Sequence, residues 1–86
     1  MSYFVYMLIS KVNDKFITYV GYTKNIKKRL LLHNNSLGAK FTRGRKWELI
    51  YRKKYSNKSS AMKGEYSLKK DKKKRNHIKL RYINKK

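Results

Sequence analysis

Arg29 and His33 stand four residues apart. Tyr6 and Tyr19 fall within short apolar runs, and Glu65 is the one carboxylate set on a helix side. These side-chain types match the needs of phosphodiester hydrolysis. That reaction requires a deprotonated water, neutral balance for the phosphoryl oxygens and help for the leaving oxygen. A guanidinium grips phosphate through its planar fork. A group beside the water takes its proton, and a divalent ion polarises the phosphate. The i, i+4 spacing lets Arg29 and His33 reach one phosphate. The chain has only 4 Asp and Glu. Asp14 falls in a turn, Asp71 reads as a helix cap, and Glu48 lies in a strand without an acidic neighbour. A two-metal site needs several carboxylates in one place. A single hard ion held by Glu65, waters and substrate phosphate is feasible, and Mg²⁺ accepts such a site.

Each of these residues also has an ordinary reading. Glu65 can pair on the surface with Lys69 at i+4, worth only ~0.3–0.5 kcal/mol. An arginine beside an apolar stripe can snorkel, and a histidine there can be a hydrogen-bonded packing residue. Strand tyrosines commonly pack. An unperturbed phenol, with pKa about 10, is a poor base unless nearby cations favour the phenolate. Gly21 either ends a strand or admits close backbone approach. Other templates fail. The chain has no cysteine, so thiolate zinc sites are excluded. No Gly-rich Lys-Ser/Thr phosphate loop is present, and no acid completes a serine triad.

The elements that must carry these groups follow from the pattern. Residues 3–9 are almost wholly apolar and rich in strand formers, which predicts a central strand covered on both faces. Asn13-Asp14 signals a turn, and residues 16–22 read as a second strand, giving an antiparallel hairpin. Thr23 or Asn25 can cap a helix to about Asn34. Ile26, Leu30 and His33 share its inner side with Arg29 on the edge, whereas Leu31 and Leu32 point elsewhere. A basic, Gly-containing loop runs to Lys46. Residues 47–55 predict a third strand, with Trp47, Leu49 and Tyr51 alternating against Glu48, Ile50 and Arg52. Asn57 to Ser60 offers caps for a helix over about 59–70, with Met62 and Tyr66 as its apolar stripe. Asp71 can cap a last helix carrying Ile78 and Tyr82. The order β-β-α-β-α-α defines one α+β domain over residues 1–86, a small antiparallel sheet with helices packed on it.

Charge names the partner class. The net charge is +21, from 25 Lys and Arg against 4 Asp and Glu, and all the basic residues but Lys11 and Lys15 lie beyond residue 22. Such a field binds phosphates by counterion release, so nucleic acid is the expected partner and a membrane surface the competing one. Lys40, Arg43, Arg45, Lys46 and Lys69 read as phosphate-contacting surface. The absence of cysteine suits a reducing compartment, and the first residues lack a basic signal-peptide n-region. A cytoplasmic or nucleoid-associated protein is expected, not a secreted one.

These residues together resemble the GIY-YIG nuclease family, in particular its small single-domain members. The segments are Phe4-Val5-Tyr6, Tyr19-Val20-Gly21, the stretch from Thr23 through Arg29-Leu30 to His33-Asn34, Gly38-Ala39-Lys40-Phe41-Thr42, and Glu65-Tyr66 with Lys69. The first tripeptide lacks the family's glycine. The resemblance implies a three-stranded antiparallel sheet flanked by helices. It implies that Tyr6 assists deprotonation of water, Tyr19 positions phosphate or water, and Arg29 stabilises phosphoryl or leaving-group charge. His33 would support the site by hydrogen bonding or proton transfer, Glu65 would bind Mg²⁺ (or Mn²⁺), and Gly21 would keep room for the backbone. Lys40 and Asn34 are further site candidates. The implied activity is a divalent-metal-dependent endonuclease acting on DNA, leaving 5′-phosphate and 3′-hydroxyl ends, with a place in DNA repair or recombination. The alternative is a non-catalytic basic nucleic-acid-binding protein that retains the nuclease fold. A protein partner or homodimer is left open.

Overall fold

Seven apolar or half-apolar residues in a row need cover on both sides, and the chain supplies it by placing its first strand in the middle. A computed structural model describes residues 2–85. Strands β1 (Tyr3–Val12), β2 (Lys15–Thr23) and β3 (Glu48–Tyr55) form an antiparallel sheet in the order β2-β1-β3. Helix α1 (Ile26–Asn34) follows β2, and a short 3₁₀ turn covers Lys40–Thr42. Helices α2 (Lys58–Lys70) and α3 (Lys72–Asn84) complete the chain. The element order is the one the sequence predicts.

Local signals fix the joints. Asn13 and Asp14 adopt φ of 50° and 66°, the left-handed pair of a two-residue hairpin turn, which sets Val12 opposite Lys15. The Asn25 side chain caps α1 by accepting from the Lys28 amide at 3.0 Å. Asn57 and Asp71 cap α2 and α3 through the Ser60 and Lys74 amides at 2.8 and 3.0 Å. Each cap satisfies a donor that the helix itself leaves unpaired.

Two cores form, one on each face of the sheet. On one face Val5, Met7 and Val20 pack with Ala61 and Leu68 of α2, and Ile78 of α3 joins them. On the other, Tyr6, Leu8 and Trp47 pack with Tyr19 and with Ile26 and Leu30 of α1. Two expectations need correction. The buried stripe of α2 is Ala61 and Leu68, at 0% and 4% exposure, whereas Met62 and Tyr66 are 48% and 59% exposed. Tyr66 instead lies under the Lys70 ammonium, 4.5 Å from its ring centroid. The simple alternation along β3 also breaks. Leu49 pairs with Leu8 and Tyr51 with Met7, leaving Ile50 as a bulge. Ile50 and Tyr51 therefore both serve the face under α2 and α3, while Leu49 serves the α1 face. Of the two off-face leucines, Leu31 is 61% exposed and Leu32 is half-buried.

The corrected stripe predicts an asymmetry. Leu68→Ala should lower unfolding free energy by about 2–4 kcal/mol, and Met62→Ala by about 0.5 kcal/mol or less. Urea denaturation of both variants tests this; equal losses would contradict the assignment.

Candidate active site

The site forms where the α1 face of the sheet meets the β2 edge. A cleft of about 300 Å³ is lined by Tyr6, Tyr19, Gly21, Tyr22, Thr23, Arg29 and Glu65. Tyr6 from β1 and Tyr19 from β2 point to the same face, with ring centroids 6.5 Å apart. Arg29 enters from α1. Glu65 comes from α2, on the opposite face; β2 is an edge strand, so the two faces meet there around Gly21. A Cβ at Gly21 would lie 2.5 Å from the Tyr6 hydroxyl and 3.2 Å from the Tyr19 ring. Glycine is required because the two phenols occupy that space.

His33 lies behind the cleft rather than in it, fully buried at 0% exposure. Its Nε2 is 2.8 Å from the Tyr6 hydroxyl, and its Nδ1 is 2.8 Å from Thr42 Oγ1. Gly38 packs against the imidazole so closely that any Cβ there would overlap the ring. The loop that brings Gly38 in is set by the end of α1, where Ser36 takes φ 62° and the Leu37 amide donates to the Leu32 carbonyl at 2.8 Å.

Burial governs the proton affinities. Tyr6 is pushed up to about 12 by desolvation, against the pull of the neighbouring Arg29 guanidinium, with Tyr19 and Glu65 raising it further. The cations of this chain therefore do not make a resting phenolate, contrary to one possibility open from composition. His33 is held below its ordinary 6.5, first by burial and then by the Arg29 charge, so it is neutral at pH 7.

Arg29 Nε is buried without a hydrogen-bond partner. A buried guanidinium nitrogen in that condition is costly and suits a site that receives an anion. Glu65 is 21% exposed and lies 3.7 Å from Lys69 Nζ, which is 51% exposed. The i, i+4 pair and the cleft-lining role thus coexist. Among the described residues, no three His, Cys, Asp or Glu side chains gather to hold a metal. The described residues thus form no cage, and one carboxylate beside an arginine with an unpartnered buried nitrogen fits a hydrated hard cation.

The five basic residues expected to touch phosphate scatter. Lys69 borders the cleft, sharing a hollow with Tyr19, Phe41 and Arg75. Lys40 and Arg43 are exposed on the loop. Arg45 is engaged with Phe41, donating to its carbonyl at 2.9 Å and lying 5.0 Å over its ring. Lys46 lines a separate cavity toward the hairpin turn, with Ile9, Lys11, Phe16 and Tyr82. Asn34 is a clamp rather than a cleft residue: its side chain accepts from the Trp47 amide at 2.6 Å and donates to the Trp47 carbonyl at 3.2 Å. Sequence reasoning assigned no role to Thr42, 0% exposed, or to Phe41, stacked on Tyr19 at 6.1 Å. The segment Gly38–Thr42 carried the signal for both.

Residues 2–79 match the GIY-YIG catalytic domain, and the chain belongs to that family. The family is one of nucleases, so its substrate is nucleic acid, and its members generally use divalent metal ions. A UPF0213 protein of Oceanobacillus iheyensis is 46% identical over 65 residues, covering 74% of each chain. A UPF0213 protein of Staphylococcus epidermidis is 44% identical over 69 residues, 79% of this chain and 80% of that one. The solution structure of a UPF0213 protein from Bacillus halodurans shares 31% identity over 93% of this chain and 85% of its own, with a TM-score of 0.48. Among the described residues, no helix is long and apolar enough to cross a membrane.

The buried groups make stability depend on pH. The unfolded chain takes up a proton at His33 near 6.5, while the folded chain resists until lower pH. Stability from this group is present above 6.5 and falls as pH drops through it. At the other end, the unfolded Tyr6 phenol ionises near 10 and the folded one near 12, so stability falls as pH rises through 10. Urea midpoints across pH 5 to 11, with His33 titrated by NMR, check both limbs. A folded-state His33 value above 6.5 would contradict the acid limb.

Proposed function

We propose that this chain is an endonuclease that hydrolyses DNA phosphodiester bonds with the help of one divalent ion held at Glu65. The observation that carries the reading is the convergence of Tyr6, Tyr19, Arg29 and Glu65 on one cleft, in a chain of net charge +21. Arg29, whose buried Nε lacks a partner, binds the scissile phosphate and offsets the charge that develops on it. Tyr19 lines the cleft beside it and orients the phosphate or the water. Tyr6 is protonated at rest, so it acts as a relay: its phenol takes the proton of the attacking water as its own proton passes to neutral His33 at 2.8 Å. Bound at Glu65, Mg²⁺ or Mn²⁺ would polarise the phosphate and neutralise the leaving oxygen. Lys69, paired with Glu65 and exposed, flanks the phosphate path.

The test is direct. Purified protein with Mg²⁺ or Mn²⁺ should nick linear, branched or single-stranded DNA, and chelation should stop it. Arg29→Ala should lower kcat roughly 10²–10³-fold, and Glu65→Gln should remove the metal response while binding persists. Binding itself should weaken steeply with salt. Cleavage untouched in Glu65→Gln would overturn the metal assignment. Salt-sensitive binding without cleavage of any substrate would replace the reading with a non-catalytic binding protein.

A further inference from the structure

We propose that Thr42 is a positioning residue: through its hydroxyl it holds His33 in the tautomer protonated on Nδ1, which leaves Nε2 bare to accept the proton of Tyr6. The mechanistic meaning rests on the nuclease reading above; the tautomer itself does not.

The assignment follows from counting protons along one buried chain. The Ala39 carbonyl can only accept. It lies 2.8 Å from Thr42 Oγ1, so the single hydroxyl proton of Thr42 is directed there. Oγ1 then has only lone pairs to offer His33 Nδ1, also at 2.8 Å. Nδ1 must carry the proton and donate it. A neutral imidazole has one N–H, so Nε2 is the acceptor, and the Tyr6 hydroxyl at 2.8 Å donates to it.

The same answer comes from the other end. Tyr6 and Arg29 both line the cleft, and a guanidinium offers no acceptor. The hydrogen-bond partner of the phenol is His33 Nε2, so that nitrogen is the buried acceptor its proton reaches. The opposite tautomer would set the Nδ1 lone pair against the Thr42 oxygen lone pairs and would make Nε2 a donor, taking away the buried acceptor of the Tyr6 proton. In a site with no exposure at either His33 or Thr42, water cannot relieve that clash.

Thr42 is held firmly enough to enforce the choice. Its amide donates to the same Ala39 carbonyl at 3.1 Å. Its carbonyl accepts from the Trp47 indole Nε1 at 2.9 Å, and Trp47 is clamped in turn by Asn34 at both backbone atoms. Gly38 closes the remaining side of the ring. The hydroxyl is thus fixed by its own backbone, by Trp47 just ahead of β3 and by Asn34 at the end of α1, and none of these three residues lines the cleft. A side-chain oxygen so placed selects the tautomer in the way an outer partner fixes a functional imidazole.

The experiment joins NMR to kinetics. Long-range ¹H–¹⁵N spectra of the wild-type protein at pH 7.5 should show His33 protonated at Nδ1 and unprotonated at Nε2. Thr42→Val keeps the shape and removes the hydroxyl; it should mix the His33 tautomers and lower kcat roughly 10–100-fold with KM unmoved. Thr42→Ser should restore both readouts to within a few-fold of wild type. A wild-type His33 protonated at Nε2 would overturn the proposal, as would a Thr42→Val protein with the same His33 spectrum and the same kcat. The wild-type spectrum needs no substrate, so it decides the tautomer even for a protein that cleaves nothing, and a failed nuclease reading is told apart from a failed Thr42 assignment.

Discussion

The buried hydrogen bond between Tyr6 and His33 organises this molecule. It joins the central strand to α1, and it does so where neither group can turn to solvent. Polar groups taken out of water must be satisfied by the protein, so the bond imposes demands outward. The imidazole needs a second partner, which fixes Thr42. Thr42 needs its own acceptor and an anchored backbone, which fixes the 3₁₀ turn and Trp47. Both rings need space, which dictates glycine at positions 21 and 38. Much of what looks like irregular loop between α1 and β3 is the scaffold of one side-chain pair.

The cleft in front of that pair has the opposite character. Tyr19, Arg29 and Glu65 are not fully buried, and the arginine retains an unpartnered buried nitrogen. Rigid, satisfied groups behind and incompletely satisfied groups in front are what a preorganised site requires. The layer behind holds geometry, and the layer in front keeps a buried nitrogen that the protein itself does not satisfy. Desolvation, more than the large positive charge of the surface, sets the proton affinities of Tyr6 and His33.

Much of this was legible in the residues. The apolar run at Tyr3 to Ile9 announced a central strand because both faces had to be covered. Asn13-Asp14, Asn25, Asn57 and Asp71 announced their turn and caps by local chemistry that needs no tertiary context. Arg29 and His33 were placed on the inner side of α1 by helical spacing, although the spacing did not separate the cleft from the layer behind it. What stayed hidden depended on close approach across the fold. Ala61 outranks Met62 and Tyr66 in burial because the face of α2 that meets the sheet carries Ala61 and Leu68, seven residues apart, and hydrophobicity alone ranks them the other way. Thr42 has no periodicity to mark it; its meaning exists only once His33 is beside it. The basic loop read as uniform, yet Arg45 is tied to Phe41 and Lys46 looks into a different cavity.

The extra residue at Ile50 resets which side chains of an eight-residue strand face each side. With an unbroken ladder, Arg52 and Lys54 would point beneath α2 and α3, and Tyr51 and Tyr55 would point the other way. Slipping one residue out of phase swaps them. The two tyrosines join the helix-covered core, and Arg52 and Lys54 stand opposite Tyr6 and Phe4, on the side that carries the cleft. A local flaw in backbone pairing thereby sends two aromatic rings, with Lys53 between them, beneath the helices and leaves a cationic margin on the other side, a division of labour that strict alternation of this segment could not have produced.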